Sequence, residues 1–221
     1  EKTAKGKARI AKLDEYNFKY LHYKNSIGTD VMVELPENHY WAGCAEKTDE
    51  GISFVPNVPT EEVFTVPKRD GVNGTLVSAL PLNARGGTIE NFRFVLKDGK
   101  IVEATAEKGE DILLSMLDTD EGARYLGEAA LVAYDSPISN LGILFHNTLF
   151  DENVACHFAF GRCYPCVKGA EKLPAEEQLK LGMNQSLIHC DFMIGTPDLS
   201  ITGIKADGTK IPVFVDGNFA F

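Results

Sequence analysis

Three features of the sequence predict an α+β fold: a mixed, largely antiparallel sheet with a few helices, in a single domain. Two stretches of alternating residues fold back at an Asp-Gly pair, Asp98-Gly99 in "NFRFVLKDGKIVEATA" and Asp207-Gly208 in "SITGIKADGTKIPVFV". That dipeptide tolerates the positive φ angles of a tight hairpin turn. Residues 110–126, "EDILLSMLDTDEGARYL", place Leu113, Met116 and Leu117 on one helical stripe behind acids in the first turn. No repeat, low-complexity tract or Pro/Gly/Ser linker divides the chain, so residues 1–221 read as one domain.

In chain order, residues 1–16 are expected to be the tail of a connecting helix, because the chain begins without Met and reads as a piece of something longer. "DVMVEL" (30–35) and "GTLVSALPL" (74–82) read as strands. Between them "PNVPTEEVFTVP" (56–67) reads as a short strand bounded by prolines, in which neighbours Glu61 and Glu62 point to opposite faces. After the long helix, "RYLGEAALVAYD" turns into a strand that carries Glu128 among apolar residues, and a shorter helix covers 174–182, "PAEEQLKLG".

Composition narrows the function classes. A chain of 221 residues with 44% apolar side chains can bury a sizeable core. No apolar run approaches the roughly 20 residues needed to span a bilayer, and the first residues lack the apolar stretch of a signal peptide. With 32 acidic against 22 basic residues the net charge is -10, which makes nucleic acid and anionic membranes poor partners. Five cysteines, an odd number in a chain too large to need staples, favour a reducing, cytoplasmic setting.

Alternation then sorts the reactive groups. With "SLIHCDFMIG" (186–195) as a strand, Ile188, Cys190, Phe192 and Ile194 share one face and His189 and Asp191 the other. A His-x-Asp pair on one face suits a metal, but taken alone it reads first as a hydrogen-bonded surface pair. In "VACHFAFGRCYPCVKG" (154–169), Cys156, Phe158 and Phe160 fall on one face, while His157 stands opposite between alanines. A zinc knuckle using both Cys156 and His157 would need neighbours on opposite strand faces to meet one ion, which argues against it. The remaining Cys163 and Cys166 have thioredoxin spacing, but no helix is signalled after them as redox pairs require. Glu62, Glu128 and Glu152, the last in "NTLFDENVACH", are singly readable as caps or salt-bridge partners. Taken together, Glu62, Glu128, Glu152 and Asp191 with two neutral imidazoles supply a charge of -4 against the +4 of two divalent ions. That is the balance of a dinuclear hydrolytic site.

"PTEEVFT", "GEAALV" followed by "SPI", "NTLFDENVACH", "GRCYP" and "HCDFMIG" occur in this order. They resemble the signature blocks of the aminopeptidase T / aminopeptidase S / aminopeptidase II metallopeptidases, over residues 24–221. Members are cytosolic exopeptidases about twice this length, so the resemblance implies the C-terminal, metal-bearing half, with an N-terminal half missing and a homodimer expected. It implies the ligands Glu62, Glu128 as a bridge, His157, His189 and Asp191, with Glu152 a further ligand or the acid/base group. Tyr164 would donate to the developing oxyanion. The cofactors implied are two divalent ions, Zn, Co or Mn, which activate a hydroxide against a peptide with a free N-terminus. The resemblance assigns nothing to Cys163 and Cys166. Other readings of the same residues are an amidase or phosphoesterase, or a non-enzymatic metal-binding module.

Overall fold

The computed structural model describes residues 2–48, 50–55 and 60–221. Its strands in chain order are β1 (Tyr20–Lys24), β2 (Asp30–Glu34), β3 (Ala42–Gly43), β4 (Glu46–Lys47), β5 (Ser53–Phe54), β6 (Val63–Thr65), β7 (Val72–Val77), β8 (Leu82–Ala84), β9 (Gly87–Lys97), β10 (Lys100–Lys108), β11 (Leu126–Leu131), β12 (His157–Gly161), β13 (His189–Met193), β14 (Ser200–Ile204), β15 (Lys210–Val215) and β16 (Asn218–Phe219). The helices are α1 (Lys2–Tyr16), α2 (Glu110–Leu117), α3 (Thr148–Asp151) and α4 (Ala175–Lys180). The α+β class stands, and every strand pairing among the described residues is antiparallel.

Two sheets carry the molecule. The larger runs β10-β9-β7-β2-β1-β14-β15-β16 with β8 beside β9, and the smaller runs β13-β12-β11-β6-β3. Their inner faces meet through an aromatic layer: Tyr23 of β1 lies 5.0 Å from Phe158 of β12, and Phe94 of β9 lies 5.2 Å from Phe192 of β13. Fully buried aromatic rings in tilted and edge contacts bring large apolar area plus a specific geometry, which fixes how the sheets face one another. The smaller sheet is thereby apolar on its inner face. Its outer face is free to carry polar groups.

The expected hairpin at Asp98-Gly99 joins β9 to β10 with both residues at positive φ, 48° and 79°. Gly99 is doubly constrained, since a Cβ there would lie 1.7 Å from the Arg69 carbonyl oxygen. At the second hairpin only Gly208 takes positive φ, 86°, and the turn is longer, closed by Lys205 N–H to Thr209 O at 2.9 Å. The segment 74–82 is two strands rather than one, because Pro81 has no N–H for a ladder and Ala79 N–H donates across to Met193 O instead. The long helix stops at Leu117, nine residues short of expectation. Asp120 stops it: its carboxylate caps the turn Glu121–Arg124 by accepting from Ala123 N–H and also takes Leu187 N–H, drawing the chain into β11. Of the strand expected over 56–67, residues 63–65 form β6, and residues 56–59 lie outside the described residues. The expected strand over 186–195 is β13.

One irregularity shapes the outer face of the smaller sheet. β11 and β12 change register between Leu126 and Glu128, so Gly127 is the extra residue of a bulge. Leu126 turns into the core while Glu128, of the same parity, turns to the outer face.

Candidate metal centre

The outer face of the smaller sheet gathers the candidate residues. Cross-strand partners share a face, and Glu128, Ala159 and Asp191 form one row across β11, β12 and β13. Ala159 leaves open space between the two carboxylates. His157 stands in the next row opposite Ala130, and His189 opposite Gly161. A small residue, Ala130 or Gly161, stands on one side of each imidazole, and Met193 stands on the other side of His157. Glu62 comes in just ahead of β6, next to β11.

Distances divide the cluster into two groups that share Glu128. In the deep half, His157 Nε2 lies 3.1 Å from Glu62 Oε2 and 3.7 Å from Glu128 Oε1. In the open half, His189 Nε2 lies 3.3 Å from Glu128 Oε2 and 3.2 Å from Asp191 Oδ1. Within each group the donor atoms all fall within 4.8 Å of one another. Both imidazoles are turned the same way: His157 Nδ1 contacts Ala155 O at 3.1 Å and His189 Nδ1 contacts Arg162 O at 2.6 Å. A backbone carbonyl at Nδ1 fixes the tautomer that leaves Nε2 bare for a cation.

The donor set fits divalent metal. His157 Nε2 is buried and makes no aligned hydrogen bond, although Glu62 is near; it sits off the line that a ring N–H···O bond needs. An orphaned nitrogen among carboxylates is costly unless a cation meets it. Protonation reports the same surplus of negative charge. Burial opposes a charged imidazole, but Glu128 and Glu62 outweigh it and hold His157 well above its usual range. At His189 burial is likewise overcome, by Asp191 and Glu128, and the ring is lifted to about 10. Burial raises Glu62 as well. Without cations the cluster takes up protons that ligation would displace.

Glu152 follows α3, buried beside the cluster but in neither donor group. Burial, and after it the Glu62 carboxylate, pushes it up to about 8. Tyr164 is half-exposed, its ring 5.1 Å from that of His189 and 5.5 Å from Phe64; burial, then Glu128, raises its hydroxyl to about 12. Cys163 and Cys166 are buried free thiols packed among Val66, Val167, Ala170 and Met183, and Cys156 faces the core with its thiol on Val132 O at 3.3 Å. No donor group among the described residues contains sulfur. Sequence reasoning missed the carbonyls of Ala155 and Arg162, and no side-chain pattern could have revealed them.

Comparison with known proteins agrees with this chemistry. The family model described as thermophilic metalloprotease (M29) matches residues 1–219. The chain is 49% identical to aminopeptidase AmpS of Bacillus subtilis and 47% identical to aminopeptidase 2 of Geobacillus stearothermophilus, covering 96% of this chain and 52% of each relative. It superposes on wild-type AmpT from Thermus thermophilus with a TM-score of 0.91 and 42% identity, over 99% of this chain and 55% of that one. A 2,5-dihydroxypyridine dioxygenase from Pseudomonas putida, 17% identical with a TM-score of 0.63 over 97% of this chain and 59% of that one, shares the fold alone. The chain spans about half the length of the curated relatives it matches. With a donor cluster that fits metal and a family match running through almost every residue, the chain belongs to the thermophilic metalloprotease (M29) family.

Proposed function

We propose that this chain carries the metal site of an aminopeptidase, releasing N-terminal residues from peptides at two divalent ions, Zn, Co or Mn. The observation that carries the reading is Glu128: its two oxygens face two different imidazoles, Oε1 toward His157 and Oε2 toward His189. That is the disposition of a bridging carboxylate. Bound there, two ions would make a shared water acidic enough to attack at neutral pH and would polarise the scissile carbonyl.

The chain's own residues do the rest. Glu62 and His157 would hold the deep position, His189 and Asp191 the open one. Glu152, whose carboxyl keeps or yields a proton near neutrality, would take the proton from the attacking water and deliver it to the leaving amine. The Tyr164 hydroxyl stays protonated through the neutral range and reaches from the rim over His189, where it would donate to the oxygen that gains charge. Acidic walls suit the free α-ammonium of a peptide. Buried free thiols suit a cytoplasmic setting. The remaining walls would come from the other half of a longer polypeptide or from a second copy in a homodimer, so this chain alone should bind metal but cleave peptides poorly.

Titration of the stripped protein with Co(II) or Zn(II), beside hydrolysis of aminoacyl-p-nitroanilides by the longer polypeptide, tests the reading. Two ions per chain and metal-dependent release of N-terminal residues are expected. Fewer than two ions, or metal-dependent cleavage of phosphoesters in place of peptides, would overturn it.

A further inference from the structure

Glu62 has no strand of its own to hold it, because β6 begins one residue later. Its carbonyl side is fixed by β3: a Cβ at Gly43 would lie 2.7 Å from Glu62 O, so the two strands touch there. Its amino side is fixed from a segment some ninety residues away. Asn153, almost fully buried, accepts the Glu61 N–H on Oδ1 at 2.8 Å and donates from Nδ2 to Leu149 O at 3.1 Å. Its own N–H donates to Phe150 O at 3.1 Å, which locks it to the end of α3. α3 itself is tied down independently, by Asp151 accepting from Phe145 and Asn147 N–H. The Asn153 amide therefore links the α3 turn, which delivers Glu152, to the peptide that delivers Glu62.

We infer that Asn153 is a positioning residue for the deep half of the site: its side-chain amide holds the Glu61 peptide, and through it aims the Glu62 carboxylate at His157. This rests on the two-ion reading of the cluster. The effect is confined to one ion, since the hydrogen bonds of the Asn153 amide run to Glu61 and Leu149 and to neither ligand of the open half. Outer partners of this kind change metal affinity by about 10- to 100-fold.

Co(II) titration of Asn153→Ala, alone and combined with Glu62→Gln or Asp191→Asn, gives the test. Asn153→Ala should weaken one ion by about 10- to 100-fold and leave the other within about threefold. The same weakening should persist beside Asp191→Asn and vanish beside Glu62→Gln, which a general loosening of the fold would not do. Equal weakening of both ions, no weakening, or full additivity with Glu62→Gln overturns the inference. If Asn153→Ala lacks a cooperative thermal transition, Asn153→Asp decides: it keeps the oxygen that accepts from Glu61 and adds negative charge, so neither ion should bind more weakly than in the wild type by more than about threefold. Loss of the Glu62-side ion in that variant overturns the inference. A wild-type protein that binds fewer than two Co(II) ions would instead sink the two-ion reading itself.

Discussion

The two halves of the donor cluster are built by different means. The open half takes both of its private candidate donors, His189 and Asp191, from one strand, two residues apart, with the imidazole pinned by a single carbonyl. The deep half draws Glu62, Glu128 and His157 from three strands' worth of chain and sinks its imidazole: His157 is 1% exposed against 25% for His189, while Glu62 and Asp191 are alike at 13% and 12%. A pair on one strand is preorganised by the backbone and stays reachable from solvent. A group assembled from distant segments depends on packing and register but gains the low dielectric that strengthens every charge in it. The open half should trade its ion readily and the deep half keep it.

The largest effect is expected where the two halves meet. Glu128→Gln removes charge from both groups at once, so Co(II) titration should show affinity down by about 100-fold or more at both positions, with hydrolysis abolished in the longer polypeptide. Retention of either ion at wild-type affinity would detach Glu128 from that half. Next comes a difference in rate. A chelator such as EDTA should strip one ion at least about tenfold faster than the other, given the contrast in access. In Asp191→Asn the fast phase should be missing, and in Glu62→Gln the slow one; a single phase in the wild type would erase the distinction. Tyr164→Phe should leave both ions bound, and lower kcat by about 100-fold with little change in KM if the hydroxyl stabilises the developing oxyanion. A pure KM effect would make Tyr164 a binding residue. Smallest is Cys163→Ser/Cys166→Ser, which should keep both ions and cost about 1–3 kcal/mol of stability through polar atoms placed in an apolar pocket. Metal loss there would return the thiols to the site.

The same contrast governs what can be read in the sequence. The shared face of His189 and Asp191 is legible from alternation alone, because their strand is regular and the opposite face is apolar. His157 follows from the same rule applied to "CHFAF". Glu62 and Glu128 are not legible from spacing: a lone carboxylate near a strand end is ordinarily a cap or a salt bridge, and only the charge count of the whole set and the resemblance to a known family bring them forward. Their convergence depends on the pairing order of β6, β11 and β12, which is tertiary information. The hairpin at Asp98-Gly99 is written locally in the turn residues. The end of α2 is not, because it is set by Asp120 contacting Leu187, far along the chain. The short strands β3, β4 and β5 are two residues each and have no periodicity to detect.

The bulge at Gly127 also bounds what substitution can do near this site. A methyl group there would sit 2.3 Å from the Arg162 carbonyl oxygen, the same atom that receives His189 Nδ1. In a library saturated at residue 127 and selected for metal retention, glycine should be the sole survivor, while its neighbours Leu126 and Ala129 accept other small or apolar side chains. The smallest residue of the strand is then as hard to replace as the carboxylate beside it, because what it contributes is an empty volume.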